Sequence, residues 1–239
     1  MPAITKAVTL AAGRGTRMGD LTEDCPKPML PLGGRPMLAH QIERMEAAGV
    51  REVLVVVGYK GYMVADYFEA NPPRLAKLSY VTQEKQDGTG SAAMLAREFA
   101  GDDPFLMVYG DNIVETKIYD ELFERAQGAE MALSVKWVED PYQGGAVYVE
   151  GDRVTKIVEK PPKGTATTNW NNAGIYVFAP SIFEALDQIE LSPRGEYELT
   201  DAVHSIVNSG KPVAWYPIEG FWRDIGRPED IPHAEEFLK

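Results

Sequence analysis

Lys6-Ala7-Val8-Thr9-Leu10-Ala11 runs without a break into Ala12-Gly13-Arg14-Gly15-Thr16-Arg17. A short apolar strand that empties directly into a glycine-rich polar loop is the opening of an α/β unit. The pattern then repeats outward. Pro36 stands where a first helical turn accepts it, Leu38, Ile42 and Met45 recur at helical spacing, and Gly49 ends the segment. Val53 to Val57 is a continuous β-branched run, suited to a strand covered on both faces of a parallel sheet. A helical stretch near Val64 to Phe68, a strand near Leu78 to Val81, a helix after Gly88 and a strand from Phe105 to Val108 follow. At least four β-α units predict an α/β fold with a doubly wound, mostly parallel, Rossmann-like sheet.

The texture changes after about residue 130. Ala146 to Val149 and Val154 to Val158 flank Glu150-Gly151-Asp152 and read as a hairpin. Asn172 to Phe178 reads as a strand, Ile182 to Leu186 and Leu199 to Val207 as helices, and Trp222 to Ile225 as a last strand before a helix entered at Pro228. No low-complexity linker separates the halves. The expectation is one domain over residues 1–239, with a first half (1–130) and a smaller, antiparallel second half (131–239) around the same cleft.

Composition narrows the function classes. The 239 residues are 44% apolar and 25% charged, enough to bury a core. No apolar run approaches the roughly 18 residues that span a bilayer, and the first six residues are too brief for a signal peptide. A cytoplasmic protein is expected. Cys25 has no partner for an internal disulfide, and three scattered histidines cannot build a Cys/His zinc cluster. The net charge of −12 disfavours nucleic acid and anionic membranes as partners, so an anionic ligand must be held by a local basic cluster.

The loop after the first strand supplies such a cluster. Met18 occupies the third glycine position of a dinucleotide fingerprint, and Gly210-Lys211 is followed by Pro212, so neither that fingerprint nor a P-loop is present. What remains is Gly13, Gly15, Thr16, Arg14 and Arg17, a set that can wrap backbone N–H groups and guanidinium forks around a polyphosphate. Further on, Lys27 stands between Pro26 and Pro28, which fix where its ammonium points.

Together, Leu10-Ala11-Ala12-Gly13-Arg14-Gly15-Thr16-Arg17 and Pro26-Lys27-Pro28-Met29-Leu30-Pro31 resemble the signature of the sugar nucleotidylyltransferases, or NDP-sugar pyrophosphorylases. The resemblance continues through Gln83, Gly88-Thr89, Gly110-Asp111-Asn112, Glu159-Lys160-Pro161, Asn172-Ala173-Gly174 and Trp222-Arg223-Asp224-Ile225-Gly226. It implies transfer of a nucleoside monophosphate from a nucleoside triphosphate to a sugar 1-phosphate, with Mg²⁺ as cofactor and pyrophosphate as second product.

By the same resemblance, Arg17 and Lys27 are the catalytic cations, Arg17 on the β and γ phosphates and Lys27 between the α phosphate and the sugar phosphate. Leu10, Ala12, Gly13, Gly15, Thr16, Gln83, Gly88 and Thr89 would hold the nucleotide, and Asp111 and Asp224 the metal. Gly145, Glu159, Lys160 and Asn172 would hold the sugar phosphate. Glutamine at position 83 suits the edge of uracil or thymine, so UTP or dTTP is favoured. Cytidylyl or guanylyl transfer to another phosphorylated alcohol, and a silent nucleotide-sugar-binding regulatory subunit, are the alternatives. Asp20 stands where many members carry proline, and the chain ends at Lys239 without the hexapeptide-repeat extension of some members. A second, acyltransferase activity is therefore not expected. The acceptor sugar and the oligomeric state stay open.

Overall fold

The computed structural model describes residues 3–239. Strand β1 (Lys6–Ala11) leads into two short 3-10 segments (Thr16–Thr22 and Lys27–Met29) and a two-stranded corner, β2 (Pro31–Leu32) and β3 (Arg35–Pro36). Helix α1 (Met37–Ala47), β4 (Glu52–Val57), α2 (Tyr62–Ala70), β5 (Lys77–Thr82), α3 (Thr89–Met94), α4 (Arg97–Ala100), β6 (Phe105–Tyr109), β7 (Asn112–Val114) and α5 (Thr116–Arg125) complete the first half. The second half holds β8 (Met131–Trp137), the hairpin β9 (Gly145–Glu150) and β10 (Arg153–Glu159), and β11 (Trp170–Phe178). Helices α6 (Ile182–Leu186) and α7 (Leu199–Asn208), strands β12 (Val213–Pro217) and β13 (Trp222–Asp224), and α8 (Ile231–Phe237) close the chain.

In the first half the strands lie in the order β5-β4-β1-β6, all parallel. The order reverses between β1 and β6, which makes their carboxyl ends the switch point where α/β sheets bind ligands. β11 then pairs antiparallel with β6, so the second half extends the same sheet rather than forming a separate one. β8 pairs antiparallel with β11 and parallel with β12, while β9 meets β11 at Asn171 and carries β10 on its far side.

Alternation explains the apolar runs. Ala7, Val53, Val55, Leu106, Val108, Ile175 and Val177 face α1, α2 and α5 on one side. Val8, Leu54, Val56, Phe105, Met107, Tyr176 and Phe178 face α3, α6 and α7 on the other. With both faces covered, nearly every position of a central strand is buried, which is why the strands read as continuous rather than alternating apolar segments. A third cluster of Met18, Leu30, Leu32, Met37, Ile113, Ile225 and Ala234 packs the glycine-rich loop against β7, β13 and α8.

The sequence-based elements are found with their ends moved by a few residues. β8 and β12 are additional strands, and β12 runs parallel to β8 inside the half expected to be antiparallel.

Candidate active site

A cleft of about 440 Å³ opens at the carboxyl ends of β1 and β6. It brings together Leu10, Ala12, Gly13, Gly15, Thr16, Gln83, Gly88 and Thr89, the whole set expected to hold a nucleotide, along with Arg17, Lys27 and Asp111. Three elements carry these residues to one place: β1 runs out into the loop, Gln83 follows β5, and Asp111 follows β6 after Gly110.

Lys27 lies at the centre. Its ammonium is 2.5 Å from Asp111 Oδ2 and 3.9 Å from Asp224 Oδ1. The lysine is 8% exposed, so its charge is held in place by these carboxylates rather than by bulk water. Asp224 arrives from 113 positions away in sequence because β13 pairs antiparallel with β7, setting Asp224 opposite Asn112, the neighbour of Asp111. Asp224 Oδ1 is sealed from solvent and accepts no hydrogen bond from the described residues. Burial and the nearby Asp111 carboxylate push the Asp224 pKa up to about 7, against the pull of Lys27 and Arg17. Arg17 Nη1 and the Asp224 carboxylate oxygens flank Gly226, each within 3.7 Å of the position a β carbon there would take.

Two half-buried carboxylates that share one lysine, one of them with an oxygen free of hydrogen bonds among the described residues, form a donor pair that suits Mg²⁺, which takes one or two protein carboxylates and completes its shell with water and phosphate. Among the described residues no group of three or more acidic, histidine or cysteine side chains is gathered for a metal, so the site offers this pair alone.

The end of the cleft beyond β5 refines the reading of Gln83. This residue is buried, and its Nε2 donates to the Gly88 carbonyl at 3.0 Å and to Ser91 Oγ at 2.9 Å. A carbonyl can only accept, so the amide nitrogen is fixed on that side and Oε1 remains for a ligand. Gln83 therefore presents an acceptor, not the donor-acceptor pair expected from its side chain alone. Gly88 also has an internal reason to be glycine. Its φ is +131°, and a β carbon would lie 2.2 Å from the Tyr197 carbonyl oxygen. Thr89 Oγ1 accepts the Leu199 N–H at 3.0 Å and so tethers the start of α7.

The four residues expected on the sugar side lie apart from the lining of this cleft. Three cluster: a β carbon on Gly145 would stand 3.2 Å from Asn172 Cβ and 3.5 Å from Glu159 Oε2. Glu159 accepts from Thr200 Oγ1 at 2.8 Å and is within 3.5 Å of Arg194 Nη1. Lys160 is exposed, with φ +41° and its ammonium 3.9 Å from Glu159. Asn172 is held at both ends, accepting Gly174 N–H at 3.1 Å and donating to the Tyr176 hydroxyl at 2.5 Å. Tyr176 in turn meets the Tyr109 hydroxyl at 3.2 Å, and Tyr109 lines the cleft. A hydroxyl chain thus joins the two clusters.

Tyr109, Tyr176, Gln86, Glu196 and Arg194 were not singled out from sequence. The first two sit inside apolar strands, where a tyrosine reads as core, and the last two lie in a loop whose position depends on the Leu191–Tyr197 bridge.

Residues 6–239 match the model of the nucleotidyl transferase family. The bifunctional protein GlmU of Methanococcus maripaludis is 40% identical over 229 residues, covering 95% of this chain and 53% of that protein. The chain thus spans about half the length of these curated relatives. UTP–glucose-1-phosphate uridylyltransferase AglF of Haloferax volcanii is 34% identical over 238 residues, 98% of this chain and 96% of that protein. A UDP-glucose pyrophosphorylase solved with UDP-glucose superposes with a TM-score of 0.89 over 99% of this chain and 98% of its own, at 24% identity. The chain belongs to the nucleotidyl transferase family, among its sugar nucleotidyltransferases.

Proposed function

We propose that this chain transfers a nucleoside monophosphate from UTP or dTTP to a sugar 1-phosphate, releasing pyrophosphate, with Mg²⁺ held by Asp111 and Asp224. The observation that carries the proposal is the Lys27 ammonium set between those two carboxylates at the foot of the glycine-rich loop.

The acceptor phosphate has a second pKa of about 6 and is already ionised at neutral pH, so no general base is required. One of its oxygens attacks the α phosphorus in line as the bond to the bridging oxygen breaks, and pyrophosphate leaves. The task for the protein is to bring two polyanions together and to hold positive charge where negative charge builds up. In this reading Lys27 does this beside the α phosphate and Arg17 does it at the outer phosphates, supported by its exposed position on the loop beside Asp224. Bound Mg²⁺ would supply further neutralisation of phosphate charge at the same carboxylates.

The free Gln83 Oε1 can accept the N3 proton that uracil and thymine carry, whereas cytosine would have to meet it with its N4 amino group. AglF, a UTP–glucose-1-phosphate uridylyltransferase, supports a uridine nucleotide and a hexose 1-phosphate.

The test is a pyrophosphate-release assay with Mg²⁺ that crosses UTP, dTTP, CTP, GTP and ATP with a panel of sugar 1-phosphates. Release with UTP or dTTP is the expected result. Release confined to CTP or GTP would overturn the base assignment, and none with any pair would favour a silent nucleotide-sugar-binding protein.

A further inference from the structure

The glycine-rich loop is fastened from outside the cleft by a pair of residues that no part of the reaction uses. Tyr59 and Lys60 lie in the turn between β4 and α2. The Tyr59 hydroxyl donates to the Glu23 carbonyl at 2.7 Å, and Lys60 Nζ donates to the same carbonyl at 2.9 Å and to Asp24 Oδ1 at 3.1 Å. At the other end of the loop, the Arg14 guanidinium lies 5.1 Å from the centroid of the Tyr59 ring. Tyr59 therefore touches both the entry and the exit of the segment that carries Gly15, Thr16 and Arg17.

Two backbone features show that the turn is held in this arrangement. Lys60 has φ +50°, a left-handed conformation uncommon in a residue with a side chain and kept only where the surroundings fix it. Gly58 approaches the end of β1 so closely that a β carbon would lie 2.5 Å from the Ala12 carbonyl oxygen, which brings Tyr59 alongside the loop. The loop has its own internal ties, since Thr22 Oγ1 donates to the carbonyls of Gly15 at 3.0 Å and Gly19 at 3.2 Å, and Met18 is buried below. Its outer edge, Glu23 and Asp24, is exposed and is tied at the Glu23 carbonyl and Asp24 carboxylate by Tyr59 and Lys60.

We propose that Tyr59 and Lys60 are positioning residues for the triphosphate: they latch the exit of the glycine-rich loop so that it is ordered before the nucleotide arrives. A loop ordered in advance spares the ligand the entropy of ordering it, which strengthens binding without any new contact. The proposal rests on the nucleotide reading of the cleft, and it predicts an effect confined to one substrate.

The experiment uses the full chain with Tyr59→Phe, Lys60→Ala, the double variant and Lys60→Arg. Hydrogen exchange in the absence of nucleotide is expected to quicken across residues 16–24 in the double variant, with Lys60→Arg close to the wild type. Calorimetric titration with UTP and Mg²⁺ is expected to weaken about tenfold, and the KM for UTP to rise with it, while the KM for the sugar phosphate and kcat stay within about twofold. Unchanged exchange overturns the latch; faster exchange with unchanged UTP affinity overturns its role in binding. The exchange measurement needs no turnover, so a wild-type protein that releases no pyrophosphate defeats the functional reading and leaves the latch to be decided. Should the double variant fail to fold, Tyr59→Phe removes only a hydroxyl and reports the same exchange.

Discussion

Gly15 has no room for a side chain because Lys27 fills the space: a β carbon on Gly15 would lie 2.9 Å from Lys27 Cβ and 3.3 Å from its Cδ. The stem of the central lysine is packed against the loop proposed to wrap the phosphates, so loop and ammonium are positioned as one unit. Gly13, two residues earlier, meets nothing within 4 Å. The two glycines of one motif therefore serve different ends, one internal packing and the other open approach.

Gly15→Ala is expected to lose about 1–2 kcal/mol from its left-handed backbone alone, and to displace Lys27. A shift of an ångström at a reacting group costs on the order of 100-fold in rate. Gly13→Ala is expected to melt within about 0.5 kcal/mol of the wild type while the KM for the triphosphate rises. Thermal melts set beside steady-state kinetics check both, and equal stability losses in the two variants would refute the distinction.

Asp224→Asn is expected to move stability and activity in opposite directions. Removing a charge that is buried at Oδ1 and repelled by Asp111 stabilises the metal-free protein, by a few tenths to about 1 kcal/mol once the solvent over the rest of the side chain is allowed for. Turnover should fall on the order of 100-fold or more. Mg²⁺ should raise the melting temperature of the wild type and leave that of the variant nearly unchanged. A metal-free variant less stable than the wild type would show that the attraction of Lys27 and Arg17 for the carboxylate outweighs its burial and the repulsion from Asp111.

How much of this was legible beforehand depends on the range of the forces involved. β1, β4 and β6 could be read because burial on both faces writes an unbroken apolar run into the local sequence. β8 could not, since Ser134 and Lys136 interrupt it and their polar ends are satisfied by distant carbonyls, Ile175 for the serine and Ile218 and Gly220 for the lysine. Asp111 follows a readable strand. Asp224 reaches it only through the three-residue pairing of β13 with β7, which no local pattern announces, and its expected place came from family resemblance. The Gln83 donor was likewise invisible, being consumed by Gly88 and Ser91 only once α3 has formed.

Gln83→Leu is expected to cost about 0.5–1.5 kcal/mol, because the amide's bonds are lost while the Gly88 carbonyl keeps the Ala92 N–H and the Ser91 hydroxyl, and Ser91 keeps Asp87. It also removes the acceptor proposed to meet the base, so the preference for UTP over CTP should fall by about tenfold or more. Ser91→Ala keeps the bond to Gly88 and should keep the preference. Competition assays with mixed triphosphates measure this directly; an unaltered UTP/CTP ratio in Gln83→Leu would move base selection elsewhere in the cleft.

Tyr176 and Asn172 offer the corresponding test on the sugar side. The Tyr176 hydroxyl is fully enclosed, accepts the Asn172 amide at 2.5 Å and adjoins the Tyr109 hydroxyl at 3.2 Å, while burial pushes its pKa up to about 12. It stays protonated and cannot act as a base at neutral pH; its part is to aim Asn172. Tyr176→Phe should therefore cost about 1–2 kcal/mol for the unpartnered amide and raise the KM for the sugar phosphate about tenfold, with the KM for the triphosphate unchanged. Tyr109→Phe leaves the Tyr176–Asn172 bond intact and should have the smaller effect on the sugar phosphate. If Tyr176→Phe raised the triphosphate KM instead, the hydroxyl chain would serve the nucleotide cleft through Tyr109, and Asn172 would lose its assignment to the sugar.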